Sequence, residues 1–205
     1  TDVKTTMVAV PLARFGEYRP VRMWYATRWA SLHCITVIET DEGITGIASE
    51  GKQDIIMNVI RPFILGKDPF DVEVIENELM GRKREIDMRT LSALDGGLWD
   101  IIGKACGQPL FKLWGGKVNP HVHVRYWLDC QDPEEQALEA QKAVSLGWRA
   151  FKIKGGTHPD VDVERLKAVR QAVGDSVQLC VDLNGSYPLH VAINTLKKMA
   201  KYGPS

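Results

Sequence analysis

From His121 onward the sequence alternates short apolar runs with longer amphipathic ones, at a spacing of roughly 28 residues, the length of a βα unit. Residues 122–128, 150–154 and 177–183 read as strands. Asp132-Pro133 opens a helix that runs through Leu146-Gly147, a second helix covers about 159–173 and a third 188–202. Asp-Pro and Tyr-Pro at helix starts suit a cap or a first-turn proline. Successive right-handed βα units give a parallel sheet, which could be doubly wound or the start of a (β/α)8 barrel. A barrel typically needs about 250 residues, and this region holds about 85. Three units alone would expose two sheet edges and much apolar surface. The chain closes on Lys201-Tyr202-Gly203-Pro204-Ser205, a helix exit where a fourth strand should follow. The expectation is therefore an incomplete barrel domain at 121–205, truncated before the fourth strand.

Residues 1–120 follow a different rule. Residues 6–11, 32–40 and 44–49 read as strands, and Asp41-Glu42-Gly43 between the last two signals an antiparallel hairpin. Residues 71–80 and 90–106 then show helical spacing. In the second helix Leu91, Leu94, Leu98, Ile101, Ile102 and Ala105 share a face, and Gly107 followed by Pro109 stops it. Strands followed by helices indicate an α+β domain. Lys plus Arg and Asp plus Glu balance at 26 each, so no net field favours nucleic acid or an anionic membrane. No run approaches the roughly 18 apolar residues of a membrane span. The N-terminal Thr-Asp-Val-Lys lacks a signal-peptide pattern. Cys34, Cys106, Cys130 and Cys180 are scattered in apolar runs without a C-x-x-C pair, and are expected to be buried free thiols of a cytoplasmic protein.

The chemistry lies at two strand ends. Residues two apart on a strand share a face, so Lys152 and Lys154 project together while Phe151 and Ile153 face the helices. In a barrel that shared face points inward at the C-terminal end, where active sites are built. Two ammonium groups this close disfavour one another's charge, which moves a lysine toward general-base duty near neutrality. The plainer reading is an edge strand with two solvated lysines. Asp182 and Asn184 end the next strand in the same way. Asp182 is suited to ligate a hard dication such as Mg2+, or simply to cap a turn while Asn184 supports the bend at Gly185. A basic pair and a carboxylate one βα unit apart, at equivalent strand ends, suit proton abstraction beside a substrate carboxylate, with a metal stabilising the enediolate.

The stretch Ala93-Leu94-Asp95-Gly96-Gly97-Leu98-Trp99-Asp100-Ile101-Ile102-Gly103-Lys104, with Gly107-Gln108-Pro109-Leu110 and Leu113-Trp114-Gly115-Gly116, resembles the hallmark helix and loop of the mandelate racemase/muconate lactonizing enzyme family of the enolase superfamily. The K-x-K at Lys152 and Lys154 and the D-x-N at Asp182 and Asn184 follow at that family's positions, so the resemblance covers essentially the whole chain. It implies an α+β capping domain followed by the first three βα units of a modified (β/α)7β barrel. It also implies Mg2+ and a carboxylate substrate. Under it, Lys154 resembles the general base, Lys152 the partner that tunes it and contacts the substrate carboxylate, Asp182 the first of three acidic Mg2+ ligands, and Asn184 a polar lining residue. The other two carboxylates would lie on the fourth and fifth strands and the opposite-face base later still, so a site with one carboxylate of three is expected to bind Mg2+ poorly.

The stretch from Arg14 to Ala30 corresponds in this family to a mobile lid. Arg14, Tyr18, Arg22, Trp24 and Arg28 on it are candidate substrate-binding residues, since arginine pairs with carboxylates and aromatics exclude water. Solvated loop arginines are the plainer reading. Gly51-Lys52-Gln53 resembles the family's second specificity loop. His121 and His123 stand at a strand start away from the site and read as structural. Gly115-Gly116 and Gly155-Gly156 read as tight turns, and Trp99 and Trp114 as packing residues. The resemblance implies a lyase, with dehydration of an acid sugar expected first, or an isomerase that racemises, epimerises or cycloisomerises. The expected partner is a small carboxylate, with homo-oligomerisation or a complementing C-terminal half as further possibilities. A catalytically inactive fragment, or one half of a split enzyme, is the alternative of another class.

Overall fold

The structure, a computed structural model, describes residues 2–81 and 85–204. Thr1 and Ser205, the outer bounds of the two expected domains, lie outside the described residues. Two compact units form. One combines Thr1–Pro11 with Ala30–Pro120, the other Leu12–Trp29 with His121–Ser205. The division is thus discontinuous in sequence: the stretch read as a lid belongs to the second unit.

In chain order the strands and helices begin with β1 (Asp2–Pro11), the short lid strands β2 (Ala13–Arg14), β3 (Glu17–Tyr18), β4 (Val21–Arg22) and β5 (Thr27–Arg28), then β6 (Ala30–Glu39) and β7 (Thr45–Ser49). Next come α1 (Gln53–Ile55), α2 (Arg61–Ile64), α3 (Val72–Met80), α4 (Met88–Ala105) and α5 (Leu110–Leu113). The chain continues with β8 (Tyr126–Leu128), α6 (Pro133–Ser145), β9 (Ala150–Lys154), α7 (Pro159–Val173), β10 (Gln178–Asp182) and α8 (Leu189–Met199).

The first unit is an antiparallel sheet, β1-β6-β7, under helices. Alternation along β6 buries Cys34, Thr36 and Ile38 on one face. A π-helical turn, Ile56–Ile60, joins α1 to α2, so residues 53–64 wind as one helical stretch. Sequence reading assigned no element there, although Ile56, Ile60 and Ile64 recur at fourfold spacing and all are buried. Asp87 caps α4 by accepting from the Arg89 and Thr90 N–H groups, each at 3.1 Å. Along α4, Leu91, Leu94, Leu98, Ile101 and Ile102 are buried as their spacing predicts. Ala105, expected on that face, is exposed at the helix end. A Cβ on Gly97 would meet Ile38 Cδ1 at 2.8 Å, so glycine there lets helix and sheet approach closely.

The second unit carries three parallel strands in the order β10-β9-β8, each followed by a helix. Its core holds Leu128, Phe151, Ile153, Leu166, Val169, Leu179 and Met199. The first strand is shorter than expected. Residues 122–125 lie outside it, and Val122 and Val124 are exposed, because β9 pairs only with Tyr126, Trp127 and Leu128. Cys34 and Cys130 are buried as expected, whereas Cys106 is exposed beyond the end of α4 and Cys180 is half-buried; all four are free thiols. No helix among the described residues is long and apolar enough to cross a membrane.

Candidate active site

Parallel pairing of β9 with β10 sets the geometry. Lys152 stands opposite Cys180 and Lys154 opposite Asp182. Phe151 and Ile153 are fully buried against the helices, which turns both lysines to the other face of the sheet. There the Asp182 carboxylate lies between the two ammonium groups. Its Oδ2 accepts from Lys154 Nζ at 2.8 Å and pairs with Lys152 Nζ at 2.7 Å. Lys154 Nζ also donates to Asn184 Oδ1 at 2.9 Å, and the Asn184 N–H donates to Asp182 Oδ1 at 3.0 Å. Asn184 adopts φ 53°, a left-handed conformation that asparagine tolerates, and Gly185 follows at φ 66°. The bend therefore folds the Asn184 side chain back onto the lysine.

The electrostatics follow from this packing. Burial alone would raise the Asp182 carboxyl, yet hydrogen bonds from Lys152, Lys154 and the Asn184 N–H hold it well below the usual carboxylate range. Lys154 is the more sheltered lysine, its side chain 12% exposed against 41% for Lys152. Lys152, Asp182 and Asn184 open onto a cleft of about 600 Å3 that is also lined by Cys180, Tyr187 and Leu196. A sheltered amine beside an exposed one, both facing a carboxylate, can move a proton while the outer cation attracts an acid.

The lid residues take different places. Arg14 is buried. Its Nη1 donates to the Trp127 carbonyl at 2.8 Å and to Glu139, and Nη2 lies 3.6 Å from Asp129 Oδ1. Arg22 binds Glu135 at 2.5 Å while its backbone N–H reaches Asp129 Oδ2 at 2.5 Å. Both candidate arginines are thus occupied by carboxylates of α6 and the β8 exit. Arg28 stands exposed over the Tyr25 ring at 5.3 Å, Trp24 meets Tyr25 edge to face, and Tyr18 lies against Trp29. The lid's first hairpin turns through Phe15 (φ 51°) and Gly16 (φ 83°). A two-residue turn of this kind requires positive φ at both positions. Phe15 holds that conformation while stacked on Tyr126 at 5.9 Å and 10°.

Several charged residues of this unit escaped the sequence reading. Asp129 directly follows β8 much as Asp182 ends β10, so the same strand-end rule could have found it. Glu139, Asp162 and Arg165 are buried on helix faces. Their signal is weaker: an ionic side chain in register with the apolar stripe of an amphipathic helix.

Mg2+ is the metal the resemblance implies, and the local donor set can be tested against it. Among the described residues no group of three or more His, Cys, Asp or Glu side chains is gathered so as to hold a metal ion. Asp182 stands as one carboxylate with one oxygen engaged by two cations. A hard dication needs several oxygen ligands held together, so these residues by themselves do not fit Mg2+.

The architecture is an α+β unit accompanied by three parallel βα units, with paired lysines at the end of the second strand and an aspartate at the end of the third. Residues 4–115 match the mandelate racemase / muconate lactonizing enzyme N-terminal domain, and residues 135–205 match the enolase C-terminal domain-like family. The chain belongs to the mandelate racemase/muconate lactonizing enzyme family of the enolase superfamily. It is 31% identical to an arabinonate dehydratase of Saccharolobus solfataricus, over 82% of this chain and 49% of that protein. It is also 31% identical to an N-succinyl-L-Arg/Lys racemase of Bacillus cereus, over 98% of this chain and 57% of that one. Among solved structures, a dipeptide epimerase from Enterococcus faecalis V583, in complex with Mg and the dipeptide L-Leu-L-Tyr, superposes with a TM-score of 0.86 at 26% identity, covering 99% of this chain and 58% of that one. The chain therefore spans about half the length of the relatives it matches.

Proposed function

We propose that the protein carrying this sequence removes the α-proton of a carboxylate to give an enediolate, with Lys154 as the base and Lys152 facing the substrate carboxylate. The observation that carries this reading is the meeting of Lys152, Lys154, Asp182 and Asn184 at the adjoining ends of β9 and β10. Lys154 is sheltered and held by two oxygen acceptors, which fixes the direction of its ammonium. Lys152 is half-exposed and, although paired with Asp182 on one side, lines the cleft by which an acid would arrive. The scaffold in this reading is a modified (β/α)7β barrel with an α+β cap. Mg2+ use is proposed for the whole protein on the strength of the Mg-bound epimerase relative, with Asp182 as one oxygen ligand. The further oxygens that a hard dication requires are not among the described residues around Asp182.

Dehydration of an acid sugar is the reaction proposed first. It is supported by the arabinonate dehydratase relative and by a lid that presents Arg28, Trp24 and Tyr18 at its surface. Arg14 and Arg22 enter this proposal through the lid they anchor to α6. Racemisation or epimerisation of an acylated amino acid or dipeptide is the second reading, supported by the racemase and epimerase relatives. Both begin with the same proton transfer, so one experiment tests them together. The Mg2+-supplemented protein is incubated in D2O with aldonic acids and with N-acyl amino acids, and NMR reads deuterium at C3 of the 2-keto-3-deoxy acid formed by dehydration and at the α-carbon of the amino acids. We expect incorporation into one class, lost at least about a thousandfold in Lys154→Ala, within the range attributed to a positioned acid–base group. Incorporation that survives the Lys154→Ala change intact would sink Lys154 as the base.

A further inference from the structure

Two charged side chains of α7, Asp162 and Arg165, are nearly inaccessible to solvent and take no part in the proton transfer proposed above. They form a salt bridge at 2.6 Å, yet most of their polar atoms are spent on backbone. Arg165 Nε donates to the Gln131 carbonyl at 2.6 Å and Nη2 to the Cys130 carbonyl at 3.3 Å, both just beyond β8. Its Nη1 donates to Thr157 Oγ1 at 2.5 Å, just beyond β9. Asp162 Oδ2 accepts the Gly156 N–H at 2.6 Å and the Tyr187 hydroxyl, which stands beyond β10. One pair of side chains thus grips the exits of all three parallel strands.

The space around the grip is tight. A Cβ on Gly155 would lie 2.9 Å from Asp162 Oδ2 and 2.9 Å from Leu183 Cδ2, so only glycine lets the β9 exit pass between them. In that position the Gly155 N–H donates to the Asp182 carbonyl at 3.0 Å. Gly155 follows Lys154 directly, and Asp182 is its partner across the sheet. The backbone link between the Lys154 and Asp182 strand ends is therefore buttressed by Asp162.

We propose that Asp162, braced by Arg165, is a positioning residue that holds the β9 and β10 exits together and so sets the approach of Lys154 to Asp182. A helix-borne ion pair suits this task, because charge-assisted hydrogen bonds are short and directional and a buried pair has no competing solvent. The proposal rests on Lys154 being the base and Asp182 the carboxylate set against it. Its test uses no turnover, so it can fail or stand independently of that reading.

The test is NMR on the protein carrying this sequence and its Asp162→Ala, Asp162→Asn and Tyr187→Phe variants. Two signals are followed: hydrogen exchange of the Gly155 amide, which touches Asp182 and not Asp162, and the Lys154 15Nζ resonance, which reports its contacts with Asp182 and Asn184. In Asp162→Ala we expect Gly155 exchange to accelerate about tenfold or more, as for a locally opened segment, and the Lys154 signal to move. Amides in the middle of β9 should keep their protection. Asp162→Asn, which keeps the shape and one acceptor, should recover most of both signals. If Asp162→Ala does not fold, Tyr187→Phe carries the test, since it deletes one hydroxyl from the same carboxylate and should shift the Lys154 signal in the same direction. Wild-type Gly155 exchange and an unmoved Lys154 signal in a folded variant would overturn the proposal.

Discussion

Asp182 receives hydrogen bonds from two lysine ammonium groups and one backbone N–H, and its carboxyl titrates well below the usual range because of them. The sign of the pH dependence follows. A carboxyl whose folded-state value is depressed contributes stability above its unfolded value, near about 3.9, and loses that contribution as the pH falls toward the folded value. Wild type should therefore be more thermostable than Asp182→Asn at pH 7, and the difference should shrink as the pH is taken below about 4. Thermal melts of both proteins at the two pH values check this, and an equal difference at both would remove the linkage. The residue types at this site were legible in the sequence, since K-x-K and D-x-N each follow an apolar strand. That Asp182 bridges both lysines was not, because the contact depends on the register between β9 and β10.

The lid belongs to the scale of elements. Its root is fixed by a buried set in which Glu139 accepts from Arg14, Tyr126 and Gln131 and pairs with Arg19 at 3.3 Å. Burial, the Glu139 charge and its hydrogen bond push the Tyr126 hydroxyl up to about 12, so that ring stays neutral beside Arg14. Glu139→Ala would take the hydrogen-bonded carboxylate from a buried arginine, leaving it Asp129 at 3.6 Å, and should cost about 3–5 kcal/mol, as breaking one side of a buried pair does. Glu135→Ala breaks a half-exposed pair with Arg22 and should cost no more than about 1 kcal/mol. Urea denaturation measures both, and limited trypsin digestion should cut the lid faster only in Glu139→Ala. Equal effects of the two changes would mean the lid has no buried root. In the other unit, Gly97→Val would drive a side chain into Ile38 and should destabilise by about 1–3 kcal/mol, the usual range for overpacking. The helical stretch at 53–64 is written in the fourfold spacing of Ile56, Ile60 and Ile64, whereas the π-turn within it is set by backbone hydrogen bonding and leaves no local signal.

At the scale of the whole molecule, two separate cores follow from the two compact units, one around Ile56, Ile75 and Leu98, the other around Phe151, Ile153 and Leu166. Phe151→Ala should cost about 3–5 kcal/mol and Ile75→Ala about 2–5 kcal/mol, each in its own unit. Differential scanning calorimetry should then show one transition lowered and the other unmoved in each variant, and a single transition shifted alike by both would mean the units unfold as one. The sequence by itself determined the α+β and βα regimes, the amphipathic faces and the residues at the strand ends, because those depend on periodicity and on neighbours within a few positions. Tertiary structure alone decided that residues 12–29 join the second unit, that Arg14 and Arg22 are claimed by Glu139 and Glu135, and that Asp162 and Arg165 tie three strand exits together. The physical reason is range. Hydrophobic period is written locally, whereas the partner of a buried charge is set by whichever opposite charge folding brings within about 3 Å, here up to 125 positions away along the chain.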